Sequence, residues 1–174
     1  MLSYLTDPYY FKTTRGFTRK TFSGEGKKTS REVEHLTQEA YDISRDPARL
    51  NIDLIYDFLT HSYWAAGITR PTVQKSIENS ICFGVYDQRG EQVGFARILT
   101  EKARVAHLSD LFILEPHRGK GLAKRLMRTI LEDPELHDVP KWFLITEDAH
   151  ELYRRYGFEC LTPAQAETYM IRKS

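Results

Sequence analysis

The chain has 174 residues, enough for one domain that closes a hydrophobic core. It is 41% hydrophobic and 28% charged, with a formal net charge of +1. That near-neutral balance argues against a nucleic-acid footprint spread over the whole protein. No apolar run reaches the roughly 18 residues that a membrane-spanning helix needs. The N-terminus MLSYLTDPYYFK lacks the basic-then-apolar order of a secretory signal, so a cytoplasmic home is expected. Cys82 and Cys160 are far apart, lack metal-ligand spacing and are flanked by apolar or aromatic residues, which predicts two reduced core thiols and no metal.

In chain order, residues 1–36 form a basic N-terminal extension. Lys12, Arg15, Arg19, Lys20, Lys27, Lys28 and Arg31 face a single nearby acid, Glu25, and no periodicity is sustained. Such a stretch reads as a loosely docked arm, or as a contact for nucleic acid or an acidic partner. Residues 37–174 are then the folded domain. Leu36 to Ser44 reads as a strand. Asn51 is placed to cap a helix with Ile52, Ile55, Tyr56 and Leu59 on one face. Pro71 suits the first turn of a second helix ending near Asn79. Ile81–Tyr86 and Gln92–Thr100 read as a hairpin joined at Asp87-Gln88-Arg89-Gly90, and Arg104–Leu114 as a third strand. Gly121–Glu132 is an amphipathic helix carrying Leu122, Leu126 and Ile130, stopped by Pro134. A strand over Trp142–Thr146, a short helix over Ala149–Tyr156 and a closing hairpin over Phe158–Ile171 complete an α/β domain with a mixed sheet.

The segment from Asp110 to Ala123 carries the chemistry. A strand enters a turn holding Gly119 and Gly121, and the turn opens a helix. Backbone N–H groups at a helix start lack internal partners, and with the positive end of the helix dipole they suit a pyrophosphate. Side chains at the two glycines would obstruct the approach of phosphate to backbone. Arg118, Lys120, Lys124, Arg125 and Arg128 add positive charge, with Lys124 the member of the helix face nearest the turn. A phosphate-loop nucleotide hydrolase does not fit, because Gly119-Lys120-Gly121-Leu122 lacks the Lys-Ser/Thr step.

Arg118-x-x-Gly121-x-Ala123 resembles the Q/R-x-x-G-x-G/A signature of the GNAT superfamily of acyl-CoA-dependent N-acyltransferases. Further on, Ala149-x-x-Leu152-Tyr153 and Gly157-Phe158 match that family's N-x-x-A-x-x-L-Y-x-x-x-G-F ending, with Thr146 where Asn is usual. The resemblance spans roughly residues 37 to 172. The strings Ser62-Tyr63-Trp64-Ala65 and Cys82-Phe83-Gly84-Val85-Tyr86 resemble a group of bacterial members with mostly unassigned substrates. The resemblance implies an α/β (α+β) GNAT fold: a central mixed, mostly antiparallel twisted sheet with splayed middle strands, flanked by helices. It further implies binding of acetyl-CoA by Leu111, Phe112, Ile113, Leu114, Arg118, Gly119, Lys120, Gly121, Leu122, Ala123, Lys124, Thr146, Ala149 and Tyr153. The backbone of Leu111, Ile113 and Leu114 would pair with the pantetheine arm.

Acetyl transfer to an amine needs a base, a stabilised oxyanion and protonation of the leaving thiolate. The resemblance implies Tyr153 as the acid. His107 and Asp110 are alternative bases on the preceding strand, and water is a third. Tyr63, Trp64 and Phe83 are candidates for the acceptor pocket, where aromatic faces suit a flat or cationic group. His150 reads as a capping or surface residue. The expected activity is N-acetylation of a primary amine, on a small molecule or peptide, through a ternary complex. The alternatives are a degenerate domain that binds coenzyme A without turnover, and a nucleic-acid binder acting through the arm. Exposed sheet edges suit a homodimer.

Overall fold

The computed structural model describes residues 40–172. The basic extension and residues 36–39 of the first expected strand lie outside the described residues. The described part of that strand is β1, Tyr41–Ser44. Helix α1, Ile52–Thr60, starts where Asn51 Oδ1 accepts the Leu54 N–H at 3.0 Å. The Asn51 N–H in turn donates to the Gln92 side chain at 2.7 Å, tying the helix start to the sheet. Helix α2, Arg70–Glu78, is capped by Thr69 with Pro71 in its first turn, a position that needs no N–H. Strands β2, Ile81–Asp87, and β3, Gln92–Thr100, join through a turn that Asp87 holds by accepting the N–H groups of Arg89 and Glu91. Strand β4 covers Ala106–Ile113, and helix α3 covers Leu122–Leu131. Strand β5, Trp142–Phe143, and helices α4, His150–Arg154, and α5, Pro163–Ala166, follow.

The sheet runs β1-β2-β3-β4-β5, antiparallel throughout except for the parallel pair β4–β5. Both faces are covered. Leu122, Leu126, Met127 and Ile130 of α3 pack with Phe83, Val85, Ile98 and Leu108. On the other face Ile55, Leu59 and Val73 of α1 and α2 pack with Cys82, Phe95 and Phe112. Double coverage explains why β2 reads Ile-Cys-Phe-Gly-Val-Tyr, a continuous apolar run without alternation.

Two expectations fail at the C-terminal end. The strand expected over Trp142–Thr146 stops at Phe143, and Ile145 is largely exposed. The hairpin expected over Phe158–Ile171 does not form. Thr162 and Gln165 make a reciprocal capping box around Pro163, which nucleates α5, and a proline there supplies no N–H to a ladder.

Close packing of β3 on β4 sets one constraint. A Cβ on Gly94 would lie 2.5 Å from Ile113 Cδ1 and 2.9 Å from the Phe112 carbonyl oxygen. The first contact can yield, the second cannot without moving the strand. Gly94→Ala should therefore lower unfolding stability by about 1–3 kcal/mol in urea titration. A loss within experimental error would show that the strands tolerate separation there.

Candidate active site

Strands β4 and β5 pair only at Ala106–Trp142 and His107–Phe143. From Leu108 onward that edge of β4 has no partner strand among the described residues. That leaves a gap in the sheet between the end of β4 and the segment leading to α4, and the turn into α3 follows the end of β4. Gly119 and Gly121 adopt φ of 75° and 81°, a region costly for residues bearing a Cβ, and a Cβ on either would meet open space. The first helical bond of α3 is Arg125 N–H to the Gly121 carbonyl, so the N–H groups of Leu122, Ala123 and Lys124 have no intrahelical acceptor. No side chain caps this helix. Arg118 turns back, its Nε donating to the Ile113 carbonyl at 2.9 Å, and so joins the turn to the end of β4. Leu111 and Ile113 point to the α3 core, Phe112 and Leu114 to the α1–α2 core, which leaves only their main chain for the gap.

The strand bulges beside the gap. Phe95 pairs with Phe112 and Arg97 with Ser109, so Asp110 and Leu111 together oppose Ala96. Asp110 takes a left-handed φ of 53°, which aspartate tolerates better than most side chains. Its buried carboxylate accepts Arg97 Nε in a close ion pair, Trp64 Nε1 at 3.2 Å and the Ser109 hydroxyl at 3.3 Å. Three donors thus engage the carboxylate. Asp110 thereby holds Trp64 and Arg97 in place. Trp64 stands edge-on to Tyr63, with ring centroids 4.9 Å apart, and both rings remain exposed.

Tyr63 crosses the gap. Its hydroxyl accepts the Glu147 N–H at 3.1 Å and donates to Asp148 at 3.4 Å, linking the segment after α1 to the segment before α4. Below that bridge lies Tyr153, 8% exposed, its ring edge-on to Phe158. Burial, reinforced by Tyr63 and Asp148, pushes its phenol up to about 12, so it is protonated at neutral pH. His107 is half-buried on β4, and burial followed by the nearby Arg97 charge lowers its pKa, with Asp110 opposing. Its imidazole is therefore neutral near pH 7 and able to accept a proton. Thr146, standing where Asn is usual in the motif, accepts the Ala149 N–H at 3.1 Å, at the residue that precedes α4. His150 is the first residue of α4 and half-buried.

Two sequence readings are corrected. Phe83 is 1% exposed inside the α3-side core, on the sheet face opposite Tyr63 and Trp64, so it lines no acceptor pocket. Cys160 is exposed and near Arg154, not a core thiol, whereas Cys82 is buried and its thiol is pushed up to about 12 by burial. Arg97 went unread as a site residue. Its signal is a cation in the middle of the apolar strand Val93–Leu99, which demands a buried partner. No helix among the described residues is long and apolar enough to cross a membrane.

A family model described as the acetyltransferase (GNAT) domain matches residues 78–160. A solved protein of Xanthomonas campestris pv. campestris, described as belonging to the GNAT family, is 38% identical with a TM-score of 0.72, covering 77% of this chain and 93% of that one. A Gibberella zeae protein provisionally named an acetyltransferase is 28% identical over 69% of this chain and 79% of its own length. Glucosamine-6-phosphate N-acetyltransferase of Arabidopsis thaliana, 14% identical with a TM-score of 0.55 over 77% and 97% of the two chains, shares the fold.

The Arg97–Asp110 pair yields a stability test. Arg97→Met leaves a buried carboxylate without its cation and should cost about 3–5 kcal/mol, read by urea unfolding. The double substitution Arg97→Met, Asp110→Leu should recover much of that loss. A double variant as unstable as the sum of the two singles would show that the pair is not coupled.

Proposed function

The chain belongs to the GNAT family of acyltransferases, and on that premise we propose that it transfers the acetyl group of acetyl-CoA directly to a primary amine of a small molecule or peptide. The observation that carries this reading is the unpaired edge of β4 running into the open glycine turn at the start of α3. An extended arm fits beside Leu111–Ile113, on the edge of β4 that β5 leaves open. A pyrophosphate fits at the N–H groups of Leu122, Ala123 and Lys124, with Gly119 and Gly121 admitting it closely. When bound, acetyl-CoA supplies a thioester carbonyl to be attacked and a thiolate to leave.

The residues divide the work by their environments. His107, held neutral by burial and by Arg97, takes the proton from the ammonium of the acceptor, directly or through water. Tyr153, held protonated by burial, gives its proton to the leaving sulfur. Its phenol is a weaker acid than a thiol, so the resulting phenolate at once recovers a proton from the nitrogen of the acetylated adduct, which completes the step. Tyr63 and Trp64 form the exposed aromatic wall against which the acceptor lies, and Asp110 fixes the indole by its Nε1–H. The amine is then presented between a neutral imidazole and a buried phenol. No covalent enzyme intermediate is needed.

Acetyl-CoA consumption measured across polyamines, amino acids, arylamines and peptide amines tests the reading, and turnover with none of them would contradict it. With an accepted amine, Tyr153→Phe should cut kcat by about a hundredfold while leaving coenzyme affinity intact. The acid limb of kcat/KM should lie below the ordinary imidazole range, because activity is lost only as the depressed His107 takes up a proton. His107→Asn should lower the rate and remove that limb. An unchanged limb in His107→Asn would assign the base elsewhere.

A further inference from the structure

We propose that Tyr41, which lies outside both sequence motifs, is a positioning residue that holds the glycine turn in its phosphate-accepting shape. The inference rests on the reading that this turn takes the coenzyme pyrophosphate. Gly119 and Gly121 give the turn its left-handed geometry, and glycines leave a free turn many alternative conformations. Something must reduce that freedom if the N–H groups are to point together before the ligand arrives.

Tyr41 reaches the turn at three places. Its hydroxyl shares a hydrogen bond with His117 Nδ1 at 2.9 Å, just before the turn. The same oxygen accepts from Lys120 Nζ at 2.9 Å, inside the turn, and that ammonium also lies 5.6 Å from the centre of the Tyr41 ring. Its carbonyl accepts from Arg125 Nη1 at 2.6 Å, in the first turn of α3. The rings of Tyr41 and His117 meet edge-on at 5.7 Å. One residue thus grips the chain before, within and after the segment that must stay ordered.

Tyr41 is anchored by its pairing with Asp87 of β2, at the start of the edge strand β1. The Lys120 ammonium can only donate, so the phenol oxygen accepts it and keeps its single proton for a His117 Nδ1 that carries none. The neighbouring Asp42 pairs with Arg49 on the exposed side of β1 and has no part in the clamp.

Calorimetry of the full chain with coenzyme A tests this. Tyr41→Phe keeps the ring and loses the hydroxyl, and Kd should rise about tenfold, the size of one hydrogen bond to a charged group. Acetyl-CoA KM should rise in parallel while kcat at saturation is retained. The loss should be the same with 3′-dephospho-coenzyme A, which shares the pyrophosphate. His117→Ala, which leaves Tyr41 in place, should raise Kd by about threefold and provides the test if Tyr41→Phe is poorly folded. Asp42→Ala should not change Kd. Wild-type affinity in Tyr41→Phe, an equal loss in Asp42→Ala, or a loss that vanishes with 3′-dephospho-coenzyme A would each overturn the proposal. A wild-type chain that binds no coenzyme would instead overturn the reading of the turn itself, and this inference with it.

Discussion

Two residue pairs hold β5 against β4, and then the strands part. Elsewhere in the sheet every strand is matched over most of its length, and helices cover both faces. Backbone N–H and C=O groups left unpaired in a protein interior are costly, so an unmatched strand edge is kept only where water or a ligand satisfies it. The parting of β4 from β5 also determines where the other parts of the site can lie. The glycine turn follows the end of β4, Tyr153 lies beneath the gap, and Tyr63 bridges it from the opposite side of the sheet.

The bulge at Asp110 is the second consequence of β4's double duty. An extra residue opposite Ala96 brings the carboxylate beneath Trp64, where Arg97 neutralises it. The same cation helps to hold His107 unprotonated. The carboxylate therefore fixes an aromatic wall, while the Arg97 charge adds to burial in lowering the His107 pKa, against Asp110. In this arrangement stability and chemistry draw on the same two residues.

Much of this was legible in the sequence, for local reasons. Asn51 and Pro71 mark helix starts because such signals act within one turn, and the Asp87–Gly90 turn is specified by its own side chains. Gly119 and Gly121 announce a left-handed turn. Features that depend on distant partners were not legible. Phe83 belongs to an aromatic string, but which face it occupies depends on the register of β2 against β3. The apolar residues of Phe158–Ile171 suggest strands, yet the capping box at Thr162 and Gln165 decides locally for a helix. Asp110 and Arg97 meet across a register shift, and Tyr41 reaches residues more than seventy positions away, so neither contact leaves a trace in spacing.

Residue-resolved amide hydrogen exchange of the full chain, with and without coenzyme A, tests the central claim most directly. If the gap and turn form the coenzyme site, exchange should slow along β4 from Leu108 to Ile113 and at Leu122, Ala123 and Lys124, with the α1–α2 core unchanged. The account is contradicted if protection is absent there, or if it falls instead on the groove between α2 and β3 lined by Thr72, Lys75, Ser80 and Leu99.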